Sequence, residues 1–194
     1  MSRHLVHFYD DAYPAEEASD FIVAGLLAGD TCVAMLTASN RSAVEQMLNA
    51  HRMFSTPSSP HTGSFLVLDT DEALARLTVD GRLDMARVGE SLGALLNPAS
   101  HGGRGHVRLV GDPAPVLFAA GNEADSLALE SVVSELAKLH GASVFCAYRM
   151  NDLHQHGSSH ALVKLCAEHS SVTFPEQPWV HGFMLPAQAP SSED

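Results

Sequence analysis

The beginning of the chain alternates between strand-like and helix-like segments. Residues 4–9 are typical of a strand, and residues 31–37 form a continuous apolar run typical of a strand buried on both faces of a parallel sheet. Between them, Pro14 occupies a favourable position in the first turn of a helix that is predicted to continue to about Ala28. Since parallel neighbours need a crossover connection, this order predicts a strand–helix–strand unit.

The same alternation continues through the rest of the chain. Further strands are predicted at residues 64–68, 106–110 and 143–148, and further helices at residues 40–52, 84–96, 113–139 (broken near Gly121) and 159–168, with a short helix capped by Asp71. We therefore predict an α/β fold, a three-layer and mainly parallel sheet with helices on both faces. One domain over residues 1–180 is expected, followed by a flexible tail over residues 181–194.

Charge and cysteine content exclude several classes of protein. The chain has 11 Lys and Arg against 23 Asp and Glu, a net charge of −12, and no basic run that would favour nucleic acid or an anionic membrane as a direct partner. No stretch approaches the roughly 20 apolar residues of a membrane span. Three cysteines, Cys32, Cys146 and Cys166, do not form a disulfide framework, so we predict a reduced, cytoplasmic protein.

The first loop lacks the residues of a phosphate-binding loop. It carries Asp10, Asp11, Glu16 and Glu17 where a nucleotide-binding protein has glycines followed by Gly-Lys-Ser or Gly-Lys-Thr. These carboxylates would repel a triphosphate. Gly89-Glu90-Ser91-Leu92-Gly93 has the Gly-x-Ser-x-Gly spacing, but it lies inside the helix predicted over residues 84–96 and not at the strand-to-helix turn that a nucleophile elbow requires. We therefore expect no ATP binding and no catalytic activity.

Several segments together resemble one known family. They are "HLVHFY", "GLLAGDTCVA", "FLVLDTDEALARLTVDGRLD", "VRLVGD", "AAGNEADSLALESVVSELA", "FCAYRM" and "LCAEHSSV", which span residues 4–173 in the family's order. The chain resembles MEDS domains, the methanogen/methylotroph sensory domains named after the DcmR regulator. The stretch "FIVAGLLAGDTCVAML" is similar to the unit that follows the phosphate loop in KaiC and RecA-like ATPases.

This resemblance implies a RecA/KaiC-like fold with a degenerate phosphate loop. It also implies a non-catalytic sensory domain in bacterial signal transduction or transcriptional regulation, with a small hydrocarbon derivative as its ligand. One position departs from the family's pattern. The family usually has Gly-Glu-Met where this chain has Gly111, Asp112 and Pro113, so the carboxylate is one carbon shorter here.

Candidate ligand-binding residues follow from the predicted sheet, because parallel sheets bind ligands at the carboxyl ends of their strands. They are His7, Tyr9, Asp112, Cys146 and Tyr148. Ordinary core packing explains the aromatic residues equally well. Trp179 is a candidate lid residue or an anchor of the C-terminal segment.

A second hypothesis for the same region is a metal site. Cys166 and His169 are three residues apart, and His7 and Cys146 lie on predicted strands, so these four residues could bind zinc or another soft-site metal. Packed core cysteines or a reactive sensing thiol are the alternatives. His4 is expected on the strand face opposite His7.

Three more histidines, His154, His156 and His160, are predicted in a polar loop after the fifth strand. They are either solvated or tune binding by protonation or metal capture.

Three functions therefore remain open at this point. The first is a small-molecule sensor. The second is an interaction module that regulates a kinase or sigma-factor pathway, and the third is a metal or thiol sensor. Each would act through a signalling protein partner, and a homodimer is plausible from the resemblance to ring-forming ATPases.

Overall fold

The computed structural model describes residues 3–51, 63–102, 105–158 and 160–175. Trp179 and the predicted tail over residues 181–194 lie outside these ranges. The strands are β1 (Arg3–Tyr9), β2 (Thr31–Leu36), β3 (Ser64–Asp69), β4 (Thr78–Val79), β5 (Arg82–Leu83), β6 (Val107–Gly111), β7 (Ser143–Arg149) and β8 (Ser171–Thr173). The helices are α1 (Ala15–Ala28), α2 (Ala38–Ala50), α3 (Thr70–Leu77), α4 (Met85–Leu96), α5 (Pro113–Ala119), α6 (Glu123–His140), α7 (Met150–His156) and α8 (Ala161–Glu168), with a short 3-10 helix at Pro98–His101.

The strands form one six-stranded sheet in the order β3-β2-β6-β7-β1-β8, and all of its pairings are parallel. The short β4 and β5 form a separate antiparallel hairpin. The predicted α/β class and the parallel sheet are confirmed. The first strand is not at the centre of the sheet, because β1 lies between β7 and the edge strand β8.

Helices cover both faces of the sheet, which gives three layers. One face packs against α1 and α2 through Ile22, Leu26, Val44 and Leu48, and we call it the α1 face. The other packs against α3 to α8, with α6 at its centre, and we call it the α6 face. Alternate residues of β1 and β7 point to opposite faces, as expected for strands.

Side chains at strand ends start several of the helices. Thr37 caps α2 by accepting a hydrogen bond from the amide of Asn40, and Asp69 caps α3 by accepting one from the amide of Glu72. The sequence pattern instead predicts Asn40 and Asp71 as these caps. Asp84 caps α4, at the start predicted for that helix. Gly29 ends α1 in the left-handed region, with φ of 82°.

After the fifth strand, one prediction is wrong and one strand was not predicted. His154 and His156 lie on α7 rather than in a loop, and both are exposed. The segment after α8 forms β8, which pairs with β1. Polar residues dominate both segments, so their periodicity gave no signal.

The spacing of apolar residues over 127–139 predicts a buried stripe on α6 that includes Leu129, Val133 and Leu139. Leu129 and Val133 are buried as expected, but Leu139 is 74% exposed. The buried face instead includes Ser126, Glu130 and Ser134. A charged side chain therefore occupies the middle of the helix that covers the α6 face.

No helix in the described parts of the chain is long and apolar enough to cross a membrane.

The cap at α3 leads to a simple stability prediction. Asp69→Ala removes the side-chain acceptor for the amide of Glu72, so we expect it to lower the free energy of unfolding by about 1 kcal/mol. Asp71→Ala is the matched control, because it keeps the cap and removes only an acidic group from the same first turn. Urea unfolding of both variants measures the difference. Equal losses would contradict the assignment of Asp69 as the cap.

Candidate functional site

A glutamate of α6 lies completely buried against the sheet. The side chain of Glu130 is 0% exposed. The Tyr148 hydroxyl donates a hydrogen bond of 2.7 Å to its Oε1, and His4 Nε2 lies 3.2 Å from its Oε2. An ionised carboxylate removed from water is stable only if such partners compensate it, so these contacts are a condition for this helix to pack.

Two further side chains meet the same carboxylate oxygen. His169 Nε2 lies 3.5 Å from Glu130 Oε2, and Cys146 Sγ lies 3.7 Å from it. Cys146 Sγ is also 3.7 Å from His4 Nε2, and the two imidazole ring centroids are 3.9 Å apart. We call His4, Glu130, Cys146 and His169 the Glu130 cluster. One donor atom from each lies within 4.8 Å of every other, and all four residues are buried.

The fold brings these residues together from distant parts of the chain. His4 is on the face of β1 that also carries Val6 and Phe8, and Cys146 is on the same face of the neighbouring β7. His169 follows α8 directly. The next residue, Ser170, makes two hydrogen bonds with the backbone of His4. The Ser170 amide donates to the His4 carbonyl at 2.7 Å, and Ser170 Oγ accepts from the His4 amide at 3.0 Å.

The surroundings of the Glu130 cluster set its protonation states. Burial raises the pKa of Glu130, but the hydrogen bond from His4 and the nearby imidazoles outweigh it and hold the pKa below its ordinary value of 4.5. Burial lowers the pKa of His169 below 6.5, against the attraction of Glu130. Burial and Glu130 together raise the pKa of Cys146 and of Tyr148 well above their ordinary values. Without a cation, the site is therefore a carboxylate among a neutral imidazole, a thiol and a phenol.

Two ring nitrogens of the Glu130 cluster lack a hydrogen-bond partner among the described residues. His169 Nδ1 donates to the Leu165 carbonyl at 2.6 Å, because a carbonyl oxygen can only accept. In the neutral ring this leaves a lone pair on Nε2, which is buried without a hydrogen bond. His4 Nδ1 is also buried without a partner.

A small apolar cavity adjoins the Glu130 cluster on the inner side. Its volume is about 30 Å³. It lies between β2, β6 and β7 and helices α3 to α6, and its lining residues are Met35, Leu77, Leu92, Leu109, Gly111, Pro113, Ala114, Leu129, Glu130, Val133, Val144 and Cys146. Glu130 and Cys146 thus belong to both the cluster and the cavity wall.

A second opening lies on the outer side of the Glu130 cluster. It is a surface pocket of about 160 Å³, lined by His4, Ser134, Lys138, Ala167, Glu168, His169 and Ser170. The two imidazoles of the cluster therefore lie between this pocket and the buried carboxylate.

Asp112 lies elsewhere, at the carboxyl edge of the sheet. Its Oδ2 accepts hydrogen bonds from the Thr37 amide at 2.9 Å and from Asn40 Nδ2 at 2.8 Å. Burial raises the pKa of Asp112, and these hydrogen bonds oppose the rise. Tyr9 and Tyr13 pack edge to face nearby, and the Tyr13 hydroxyl is buried without a partner in the described chain. Asp112 thus joins β6 to the start of α2.

The structure divides the candidate residues between the two faces of the sheet. Cys146, Tyr148 and His169 converge on Glu130, whereas His7 packs near Phe145 on the α1 face. Tyr9 is also on the α1 face. Cys166 packs at the border of the α6 core and is not in the Glu130 cluster. The four side chains proposed from the sequence as one metal site therefore do not meet, because His7 and Cys146 point to opposite faces.

Sequence reasoning missed Glu130 and did not select His4. A signal for Glu130 was present, since it directly follows Leu129 and lies four residues from both Ser126 and Ser134, on the buried side of α6. Because glutamate is rarely fully buried, its position on the apolar side of the helix did not by itself indicate a buried carboxylate. His4 was correctly expected opposite His7, but its partners lie more than 120 residues away in the sequence.

Comparison with known families gives one match. The family model of MEDS, the methanogen/methylotroph, DcmR sensory domain, matches residues 3–164. The chain belongs to this family and is a sensory domain. A search of curated proteins finds no match.

The pKa shifts predict that acid destabilises the metal-free protein in two steps. Below about pH 6.5, His169 is protonated in the unfolded chain to a larger extent than in the folded protein. The free energy of unfolding therefore falls as the pH falls. Below about pH 4.5 the unfolded chain also protonates Glu130 before the folded protein does, which lowers stability further. Urea unfolding in the presence of a chelator, between about pH 7.5 and about pH 5.5, measures the first step.

His169→Gln should flatten that first step, and His154→Gln, which changes an exposed histidine on α7, should leave it unchanged. A first step that survives in His169→Gln would contradict the role given to this imidazole.

Proposed function

We propose that this sensory domain binds a small apolar molecule, a hydrocarbon derivative, in the cavity beside Glu130. The cavity of about 30 Å³ is the observation that carries the proposal. Protein interiors are packed with few voids larger than a water molecule, and each void costs stability. A cavity at the centre of the α6 face is therefore a natural place for a ligand.

The lining residues indicate what kind of ligand would fit. All are apolar except Glu130 and Cys146, which lie together on one side. An apolar cavity with a few convergent polar groups is typical of small-molecule sites. The volume suits a ligand of about two or three non-hydrogen atoms, with any polar group turned toward the carboxylate and the thiol.

Binding here would act directly on the Glu130 cluster. A ligand against Cys146 and Glu130 changes the surroundings of the same carboxylate that holds His4 and His169. A ligand shifts a conformational equilibrium only through different contacts in the two states. The cluster offers such contacts because its members come from β1, α6, β7 and the segment before β8.

The same proposal includes the loss of nucleotide chemistry from a RecA/KaiC-like ancestor fold. The loop after β1 contains exposed Asp10 and Asp11, and the first turn of α1 contains Glu16 and Glu17. Arg149, at the end of β7, donates to the Asp10 carbonyl. This edge therefore carries mainly negative charge where a triphosphate would need donors, which supports a non-catalytic role.

A sensory domain also needs an output, which we propose is a signalling protein contacted by this chain. A kinase or sigma-factor regulator is the class of partner that we propose. If no small molecule binds, this interaction becomes the main function.

Filling the cavity should abolish ligand binding. Val144→Ile adds one methyl group to a buried side chain that lines the cavity, and we expect it to remove the response to ligand. The probes are xenon and a panel of one- and two-carbon alcohols, halides and thiols. Binding to the native state alone raises stability by about 2.7 kcal/mol at a concentration 100 times Kd. The measurements are Tm and the methyl NMR signals of the lining residues.

Val33→Ile is the matched control, because Val33 is equally buried on the same face but does not line the cavity. The proposal fails if no probe moves the methyl signals of the lining residues, or if Val144→Ile responds as the unaltered protein does.

The nucleotide part of the proposal has its own test. Magnesium ATP at millimolar concentration should neither raise Tm nor release phosphate, since the loop after β1 presents carboxylates to it. Saturable ATP binding with hydrolysis would contradict this part and leave the cavity proposal untouched.

A further inference from the structure

The donor atoms of the Glu130 cluster are arranged as the ligands of a single metal ion. A tetrahedral ion with bonds of about 2.0–2.3 Å holds its ligand atoms about 3.3–3.6 Å apart. Glu130 Oε2 lies 3.2 Å from His4 Nε2, 3.5 Å from His169 Nε2 and 3.7 Å from Cys146 Sγ. Cys146 Sγ lies 3.7 Å from His4 Nε2, and the remaining pairs are within 4.8 Å.

We propose that His4 Nε2, Glu130 Oε2, Cys146 Sγ and His169 Nε2 bind one divalent transition-metal ion, with Zn²⁺ as the best fit. Two imidazoles, a thiolate and a carboxylate are all accepted zinc ligands, and the thiolate disfavours Mg²⁺ and Ca²⁺. Four protein ligands leave no open position, which is the pattern of a structural or sensing site rather than a catalytic one. This set replaces His7 and Cys166 of the sequence-based hypothesis with His4 and Glu130.

The hydrogen bonds around the cluster already orient two of the ligands. His169 Nδ1 donates to the Leu165 carbonyl, which directs the free lone pair of Nε2 toward the cluster. Tyr148 holds the other oxygen of the Glu130 carboxylate at 2.7 Å. Metal-binding histidines and carboxylates typically have such outer partners.

The unpartnered nitrogen of His169 is a second, independent observation. Its Nε2 is buried, makes no hydrogen bond in the described chain and faces a carboxylate oxygen at 3.5 Å. In the neutral ring, a lone pair facing a carboxylate is an unfavourable arrangement. A cation between the two atoms removes this repulsion. The centroids of the two imidazole rings are 3.9 Å apart, and the rings would rotate slightly apart to coordinate a common ion.

A route from solvent is present. The surface pocket of about 160 Å³ reaches both His4 and His169. Glu168 and Lys138 line the same pocket. The side chain of His169 is 0% exposed, so an ion that enters from this pocket needs a local opening at the residues that line it, but it does not need to pass through the apolar cavity on the other side of Glu130.

The metal site and the proposed ligand cavity are separate hypotheses about neighbouring places that share Glu130 and Cys146. A metal without a small molecule, or a small molecule without a metal, are both possible results. The tests must therefore report on the metal alone.

The experiment is metal titration of the full chain after treatment with a chelator and its removal. We expect binding of Zn²⁺ with a stoichiometry of one ion per chain and a rise in Tm. Co²⁺ is the spectroscopic probe, and thiolate coordination should give a near-ultraviolet charge-transfer band and intense visible bands of a tetrahedral ion. The charge-transfer band identifies a bound cysteine and is not expected from adventitious binding to exposed histidines.

Variants assign the ligands. Cys146→Ser should abolish the charge-transfer band, and Cys166→Ser is the matched control that should keep it, because Cys166 is outside the cluster. His169→Gln removes a ligand and should lower the affinity for Zn²⁺ by more than about 100-fold. Removing an outer hydrogen bond lowers metal affinity by at most about 100-fold, and the loss of a ligand should exceed that. Tyr148→Phe removes such an outer bond and should lower it by about 10- to 100-fold. His7→Gln should have no effect.

Two outcomes would overturn the proposal. One is the absence of a charge-transfer band and of stoichiometric Zn²⁺ in the unaltered protein, a result that does not depend on any variant folding. The other is a band that is lost in Cys166→Ser or His7→Gln but kept in Cys146→Ser. Circular dichroism of each variant separates loss of metal from loss of the fold.

Discussion

The burial of one carboxylate controls how this molecule is assembled. Glu130 is 0% exposed on the helix that covers the centre of the α6 face. The cost of removing an ionised carboxylate from water is several kcal/mol, so α6 can occupy this position only while its partners are in place. Tyr148 and Cys146 come from the strand beneath it, and His4 and His169 come from the two ends of the described chain. A single charge therefore joins the first strand, the central helix and the last strand.

This arrangement also connects the two openings of the site. The apolar cavity touches Glu130 and Cys146, while the outer pocket touches His4 and His169. Whatever binds on one side changes the electrostatic surroundings of the other. Because binding energies at two sites are coupled reciprocally, a ligand in the cavity and a proton or cation at the imidazoles would each alter the affinity for the other. If both proposals hold, a sensory domain with this geometry would integrate two inputs.

The layers of the fold were predictable from sequence, and the site was predictable only in part. Apolar runs such as residues 31–37 and the periodicity of α1 specify buried strands and an amphipathic helix by local rules. Cys146, Tyr148 and His169 were also selected from the sequence. Their convergence on Glu130 was not, since it depends on the sheet order, which places β1 between β7 and β8. No local pattern encodes that order.

The errors in predicting single residues have a common physical cause. Asn40 and Asp71 were chosen as caps from the start of an apolar pattern, whereas the side chains that bond the free amides are Thr37 and Asp69, at the ends of the strands. His7 was combined with Cys146 because both lie on predicted strands that could be close in the sheet. The parallel register pairs His7 with Ala147 instead, and this puts its side chain on the other face. In each case an offset of one to three residues decided the outcome, and tertiary contacts rather than periodicity set it.

The short β8 is the element through which binding at this site would act on the rest of the sheet. Among the described strands it pairs only with β1, over Ser171 to Thr173, and the bonds between Ser170 and His4 hold it directly beside His169. A three-residue edge strand can detach at a much lower cost than global unfolding. The occupancy of the Glu130 cluster would therefore set how long β8 stays paired with β1. Binding in the core would in this way control how often the end of the described chain detaches from the sheet.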